Sequence, residues 1–257
     1  MYTDLISIRG LLCCLAFFFA GIVDSISGGG GLITIPVMLA AGIPVHYITG
    51  TNQCSAWLGT GVAAYKFWRG GQVHLRAALY TLPFAVVGSF CGARLNLMVP
   101  ERWLTLFMLG MVPVIALLML FDRDLGAADR ADGQPRASLA LRAGAIGLVL
   151  GAYQGFYGPG SGLFFVLAYA ALVKLSLVRA TGTTRFVLAI ASVTSVLTYA
   201  FSGMVLWRLA LAATAFNVAG SYLGAALAIK KGGRLIRPLL FGVVALLLVK
   251  LAADALT

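Results

Sequence analysis

The sequence predicts an all-α polytopic membrane protein made of two inverted repeats of about five segments each, with about 8–10 transmembrane segments. Three observations predict it. Of 257 residues, 61% are hydrophobic and only 11% charged, against about 25% charged in a soluble domain whose surface faces water; mean hydropathy is +0.97. Several apolar runs reach the roughly 20 residues that cross about 30 Å of hydrocarbon, and none alternates with the period of two of a membrane strand. The chain also repeats itself across one polar loop, and the two copies exchange their basic loops.

Ten apolar segments can be drawn, over residues 5–23, 32–41, 51–68, 75–97 and 102–121, then 139–157, 163–173, 183–201, 206–229 and 235–256. The first reads as a spanning segment and not a cleaved leader. Asp4 and Arg9 precede its apolar run, and no small-x-small cleavage site follows before Asp24. The domain reading is repeat 1 over residues 1–121, a polar and cytoplasmic inter-repeat loop over 122–138, and repeat 2 over 139–257, together one transmembrane domain.

The repeat is visible residue by residue. At an offset of 132, Thr49-Gly50-Thr51-Asn52 falls on Thr181-Gly182-Thr183-Thr184, Gly88-Ser89 on Gly220-Ser221, and Gly92-Ala93 on Gly224-Ala225. Upstream the offset is 130, pairing Gly21, Gly28 and Gly30 with Gly151, Gly158 and Gly160. If all ten segments cross, one side holds fourteen of the nineteen basic residues, leaving Arg9, Arg94, Arg102, Arg208 and Lys250 on the other. The positive-inside bias makes the first side cytoplasmic and puts both termini outside. Lys66 and Arg69 have the uncharged repeat partners Thr198 and Phe201, while Lys174 and Arg179 sit in a loop whose counterpart has no Lys or Arg. Copies that exchange basic loops sit in opposite orientations.

The net charge of +11 does not mark nucleic-acid binding, because the basic residues lie between apolar segments and not on one patch. Cys13, Cys14, Cys54 and Cys91 lie in apolar runs with no zinc or redox spacing, so they read as small buried hydrophobes. With two histidines and no facing pair of carboxylates, the chain offers no catalytic or metal constellation. The reading is therefore not an enzyme, with no cofactor and no metal.

Each half carries a glycine-rich break followed by an apolar segment too short to cross alone: Gly28-Gly29-Gly30-Gly31 before 32–41, and Gly158-Pro159-Gly160-Ser161-Gly162 before 163–173. Paired interruptions of this kind are the sequence pointer to a midplane substrate site in inverted-repeat transporters. A helix that starts at such a break aims free N–H groups and its positive dipole end at it. Two of them meeting from opposite halves would suit an anion. The GxxxG spacings Gly88/Gly92 and Gly220/Gly224 read instead as close helix packing.

At these residues the chain resembles the sulfite exporter TauE/SafE family of membrane transporters. The resemblance is carried by SGGGGLITIPVMLAAGIP around Pro36, by the Gly-Thr elements Gly50-Thr51-Asn52 and Gly182-Thr183-Thr184, by the hinge Arg69-Gly70-Gly71-Gln72-Val73, and by the GSxxGA elements from Gly88 and Gly220. It covers nearly the whole chain. The second half departs from the pattern, with Pro159 inside its break and Val166 at the position of Pro36. The resemblance implies a multi-pass protein of the cell membrane, the inner membrane in a bacterium. It implies ion-gradient-coupled transport of sulfur-containing oxyanions or organic sulfonates such as sulfite, sulfoacetate or taurine-related compounds.

The expected substrate site is Gly28, Gly29, Gly30, Asn52, Gln53, Gln154, Tyr157, Gly158, Gly160, Ser161, Thr183, Thr184 and Arg185. If a helix starts near Thr181, Arg185 lies one turn inside it, and its guanidinium can hold a sulfonate by two parallel bonds. Snorkelling of Arg185 to the headgroups is the alternative. Asn52, Gln53, Thr183 and Thr184 read as polar groups opening apolar helices, for substrate contact or for capping. Asp24 is the candidate proton carrier, because an intramembrane acid is a functional hypothesis by default, or else it caps the next helix. Trp57 reads as an interfacial anchor and His74 as an interfacial histidine. The partners are a small anion, the lipid bilayer and a coupling proton or Na+. An uncoupled anion channel, a membrane enzyme and an assembly protein are the other readings; the last gives no reason for paired breaks.

Overall fold

A computed structural model of the chain describes residues 8–100, 129, 131, 133–236 and 238. The fifth segment expected in each half, 102–121 and 235–256, lies outside the described residues except for 235, 236 and 238. The described residues form eight principal helices: α1 Ile8–Ser27, α2 Gly31–Ala40, α3 Val45–Arg69, α4 Leu75–Met98, α5 Arg136–Phe156, α6 Ser161–Leu172, α7 Leu177–Phe201 and α8 Trp207–Lys231. They contain no strand. Five of them, α1, α4, α5, α7 and α8, are long and apolar enough to cross a membrane. Outward-facing Leu79, Val87, Leu141, Val149 and Leu211 give the bundle an apolar exterior. In water such a surface would be costly; in lipid it is the surface expected.

Helix ends follow local rules, twice over. Pro44 and Ser176 stand in extended conformation just before α3 and α7. Both helices stop on a positive-φ glycine, Gly71 at +67° and Gly203 at +72°. The chain then closes with an N–H of Gln72 on the Phe67 carbonyl at 2.9 Å and of Met204 on that of Tyr199 at 3.1 Å, the long bond of a Schellman motif. Both helices thus begin six residues before the apolar segments expected at 51–68 and 183–201. Thr49, Thr51, Asn52 and Gln53 lie inside α3, and Thr181, Thr183, Thr184 and Arg185 inside α7, all buried. Arg185 is therefore about two turns from its helix start, not one.

The halves interlock about a pseudo-two-fold axis. The Trp57 indole N–H donates to the carbonyl of Ala189 at 2.9 Å, and residue 189 is the repeat equivalent of 57 at the offset of 132 read from the sequence. On one side of this crossing the Thr51 hydroxyl accepts the Leu206 N–H at 3.0 Å; on the other, the Thr183 hydroxyl accepts the His74 N–H at 3.0 Å. The start of each central helix thus meets the turn after the end of the other, so α3 and α7 are antiparallel. Equivalent helices that run antiparallel are the mark of an inverted repeat. His74, buried at the α4 N-terminus with Nδ1 accepting the Ala77 N–H at 3.1 Å, belongs to this lock and not to the interface.

The outer helices swap partners between halves: α1 packs on α8, and α5 on α4. Small residues permit this. A Cβ on Gly220 would stand 2.0 Å from the Phe18 carbonyl oxygen, and one on Gly92 2.0 Å from that of Ala152, so only glycine lets these backbones meet.

The two short helices do not cross; they fold back on the helix before them. At the start of α5, the side chains of Arg142 and Gln134 donate to the Leu172 and Val173 carbonyls at the end of α6, each at 2.9 Å. In the first half, Cys13 and Phe17 of α1 share one apolar cluster with Ile35, Met38 and Ile43. Each hairpin turns at its glycine break. The two-residue slip in the repeat is the extra length of α6, 12 residues against 10 in α2.

Candidate functional site

The two hairpin tips meet near the pseudo-axis. A Cβ on Gly28, whose φ is +87°, would lie 2.1 Å from the Leu163 nitrogen, and one on Gly31 2.7 Å from the Pro159 Cβ. Helices α2 and α6 therefore start against each other, which brings two positive dipole ends into one region. Next to them is a cavity of about 50 Å³, lined by Asp24, Gly30, Gly31, Thr34, Asn52, Gln53, Ala56, Trp57, Thr60, Gln154, the break 158–162, Arg185, Leu188 and Ser192. On this measure a water needs roughly 10–15 Å³, so the cavity has room for several waters. Its lining is itself duplicated: residues 24/154, 30/160, 53/185, 56/188 and 60/192 are repeat equivalents.

Two equivalent bridges tie the halves together here. In one, Gln53 Nε2 donates to the Gln154 carbonyl at 2.7 Å, and Gln154 Nε2 donates to Gln53 Oε1 at 3.0 Å. In the other, Arg185 Nη2 donates to the Asp24 carbonyl, and Nη1 donates to Asp24 Oδ2 at 2.7 Å. Each joins one side chain to both the backbone and the side chain of its partner. One bridge is a neutral amide pair; the other is an ion pair. The Arg185 side chain is 1% exposed and that of Asp24 22%.

Supporting bonds hold the rim. Asp24 Oδ1 accepts the Gly30 N–H at 3.2 Å, so the acid also caps the start of α2. Ser161 donates its hydroxyl to Gln154 Oε1, and Thr34 donates to Asn52 Oδ1 at 2.6 Å. The second break is pinned by Tyr153, whose hydroxyl donates to the Pro159 carbonyl at 2.8 Å. One donor is left over: Arg185 Nε is buried without a hydrogen-bond partner. A buried guanidinium N–H without an acceptor is costly, and it belongs to a side chain lining the cavity.

Of the residues expected from sequence, Asp24, Gly30, Asn52, Gln53, Gln154, Gly158, Gly160, Ser161 and Arg185 line this cavity. Gly28, Gly29, Tyr157, Thr183 and Thr184 lie outside its lining. Gly28 forms the tip-to-tip contact, Tyr157 stacks edge-on against Tyr153 at 6.1 Å between ring centroids, and Thr183 holds the His74 N–H. The Thr184 hydroxyl is buried without a partner. Thr34, Trp57, Thr60 and Ser192 join the site unannounced. Thr60 and Ser192 were within reach of sequence, each seven residues and so two helical turns beyond Gln53 and Arg185. Trp57 is no interfacial anchor; its ring sits at the helix crossing, where its N–H finds a carbonyl. Cys91 is exposed, unlike the three buried cysteines.

Inverted helical repeats, hairpins that stop part-way through the bundle and a polar cavity between the halves define a membrane transporter architecture. The chain belongs to the sulfite exporter TauE/SafE family, whose model matches residues 13–251. It is similar to the probable membrane transporter protein ORF9 of a Sinorhizobium species, 34% identical over 93% of this chain and 91% of that one. It is also similar to the probable membrane transporter protein YfcA of Escherichia coli K12, 32% identical over 99% and 94%, and to a probable membrane transporter protein of Haemophilus influenzae, 32% identical over 91% and 90%. No solved structure matches the chain. The protein is a multi-pass membrane transporter.

Proposed function

We propose that the protein carries a small sulfur-containing oxyanion or organic sulfonate across the membrane, bound at the central cavity and coupled to an ion gradient. The observation that carries this reading is Arg185: a guanidinium placed among the residues of the cavity, 1% exposed, with its Nε donor unpartnered. An oxyanion is the ligand that satisfies a buried guanidinium, by charge and by parallel N–H···O bonds. The starts of α2 and α6 add positive dipole ends from both halves. Asn52, Gln53, Gln154, Ser161, Thr60 and Ser192 line the cavity with neutral polar groups. Alternating access follows from the symmetry, since exchanging the conformations of the two halves exposes one central site to opposite faces.

The family and the names of its relatives agree with transport and leave the substrate open. Thermal-shift titration with sulfite, sulfate, sulfoacetate and taurine is the test. At least one should raise the melting temperature of the wild type in a saturable way. Arg185→Gln should remove that shift or weaken affinity at least about tenfold, one charge-assisted bond being worth about 1.5–3 kcal/mol. The variant should remain folded, because glutamine is the residue found at the equivalent position, Gln53, where it bridges the halves. Equal affinity in the two proteins removes Arg185 from the site.

A further inference from the structure

We infer that the site takes a singly charged oxyanion together with one proton, the proton going to Asp24 and the anion to Arg185. This rests on the anion-binding reading above and specifies what that site accepts.

The first support is the pair of equivalent bridges. Gln53–Gln154 shows that this fold ties its halves together at that position with neutral amides, in the same two-bond arrangement. The charges on Asp24 and Arg185 are therefore not required for the bridge. Burying an ion pair carries a desolvation cost that a neutral pair of similar shape avoids. The chain bears it in one bridge of the two, although both bridges line the cavity.

The second support is competition for one positive charge. An ionised Asp24 occupies both terminal nitrogens of Arg185, one through its carboxylate and one through its carbonyl. Each terminal nitrogen keeps a second N–H, and Nε has no acceptor. An anion that takes these N–H groups while Asp24 stays ionised sets two negative charges on one guanidinium and leaves the partly buried site with one net negative charge. A proton on Asp24 removes that charge and leaves a carboxyl group that still bonds. Proton and anion thus favour one another's binding, and by linkage the effect is reciprocal.

The third support is charge balance. Among the described residues, Asp24 and Arg185 are the only ionisable ones lining the cavity. The groups facing it from the elements packed around α1 are uncharged: Thr34 from α2; Asn52, Gln53 and Thr60 from α3; Gln154 from α5; Ser161 from α6; Ser192 from α7. From α8, Asn217 and Ser221 stand against α1 at Gly21. Neutral Asp24, Arg185 and a monoanion sum to zero, as the resting ion pair does. A dianion would leave one net charge buried, which is penalised steeply at this depth. The loaded and resting sites are then both neutral, the state that is cheapest to move between the two faces of a membrane.

The test is calorimetric titration of the purified full-length protein with methanesulfonate, a monoanion that does not itself titrate between about pH 5 and 8, in two buffers of different ionisation enthalpy. The expected result is uptake of close to one proton per anion bound where the free protein holds the ion pair. There, affinity should strengthen by up to about tenfold for each unit fall in pH. Sulfate should bind at least about tenfold more weakly. Asp24→Asn should bind methanesulfonate with no proton uptake and no dependence on pH. Binding without proton uptake by the wild type, or sulfate binding as tightly as methanesulfonate, overturns the inference and leaves the anion site standing. Absence of binding by either anion at any pH overturns both.

Discussion

At the scale of residues, the site is a contrast between two solutions to one geometric problem. Gln53 and Arg185 occupy equivalent positions on α3 and α7, and Gln154 and Asp24 on α5 and α1. Each pair bridges the halves by a bond to a carbonyl and a bond between side chains. The charged pair faces a cavity that admits water-sized groups, so its worth depends on what occupies that space. Sequence alone singled out Arg185 and Asp24, because ionisable residues are rare within apolar runs. It did not show that they bond to each other, since they are separated by 161 positions and only the crossing of the halves joins them. Of the two readings of Asp24, the structure shows the helix cap. Oδ1 caps the start of α2 while Oδ2 holds Arg185.

At the scale of elements, the device is a helical hairpin used twice. Its tip needs glycine for two separate reasons at Gly28: a φ of +87°, and a neighbouring backbone 2.1 Å from where a Cβ would stand. Gly28→Ala should therefore cost about 2 kcal/mol or more and lower the melting temperature clearly. Gly61→Ala in α3, where nothing lies within 4 Å, should be neutral or slightly stabilising, because alanine is the better helix former. Thermal unfolding of both variants checks this; equal melting temperatures would mean that the tips do not touch. The hairpins were half legible. Their short lengths could be counted, and Leu32–Ala41 and Leu163–Val173 fall close to α2 and α6. The starts of α3 and α7 were not, because Thr49 to Gln53 and Thr181 to Arg185 read as polar edges. They are interior, and two of their hydroxyls bond across the bundle: those of Thr51 and Thr183 hold the N–H groups that open α8 and α4.

At the scale of the molecule, the inverted relation was readable from basic loops that trade places between repeats, and the antiparallel crossing of α3 and α7 gives its physical form. Folding α2 and α6 back leaves the sidedness of every loop unchanged, since a hairpin returns to the face it left. One end of the bundle then gathers Lys66, Arg69, Lys174, Arg179, Lys230 and Lys231. Gly70 lies against Ile229 there, and Gly232 near Val178. The positive-inside bias predicts that this end faces the cytoplasm. In a Cys91→Ser background, Lys231→Cys should resist a membrane-impermeant thiol reagent on intact cells, and Ser202→Cys, in the α7–α8 turn, should react. The reverse pattern inverts the topology.

On the proposed function, Arg185, in a cavity shared by two opposed halves, carries a small sulfur-containing oxyanion through the membrane. Reconstituted into liposomes with an inward proton gradient, the wild type should take up radiolabelled sulfite in a saturable manner, and collapsing the gradient should slow uptake. Arg185→Gln, reconstituted in equal amount, should show at most about a tenth of that rate, in line with the loss of one charge-assisted anion contact. Uptake by Arg185→Gln at the wild-type rate would contradict the account.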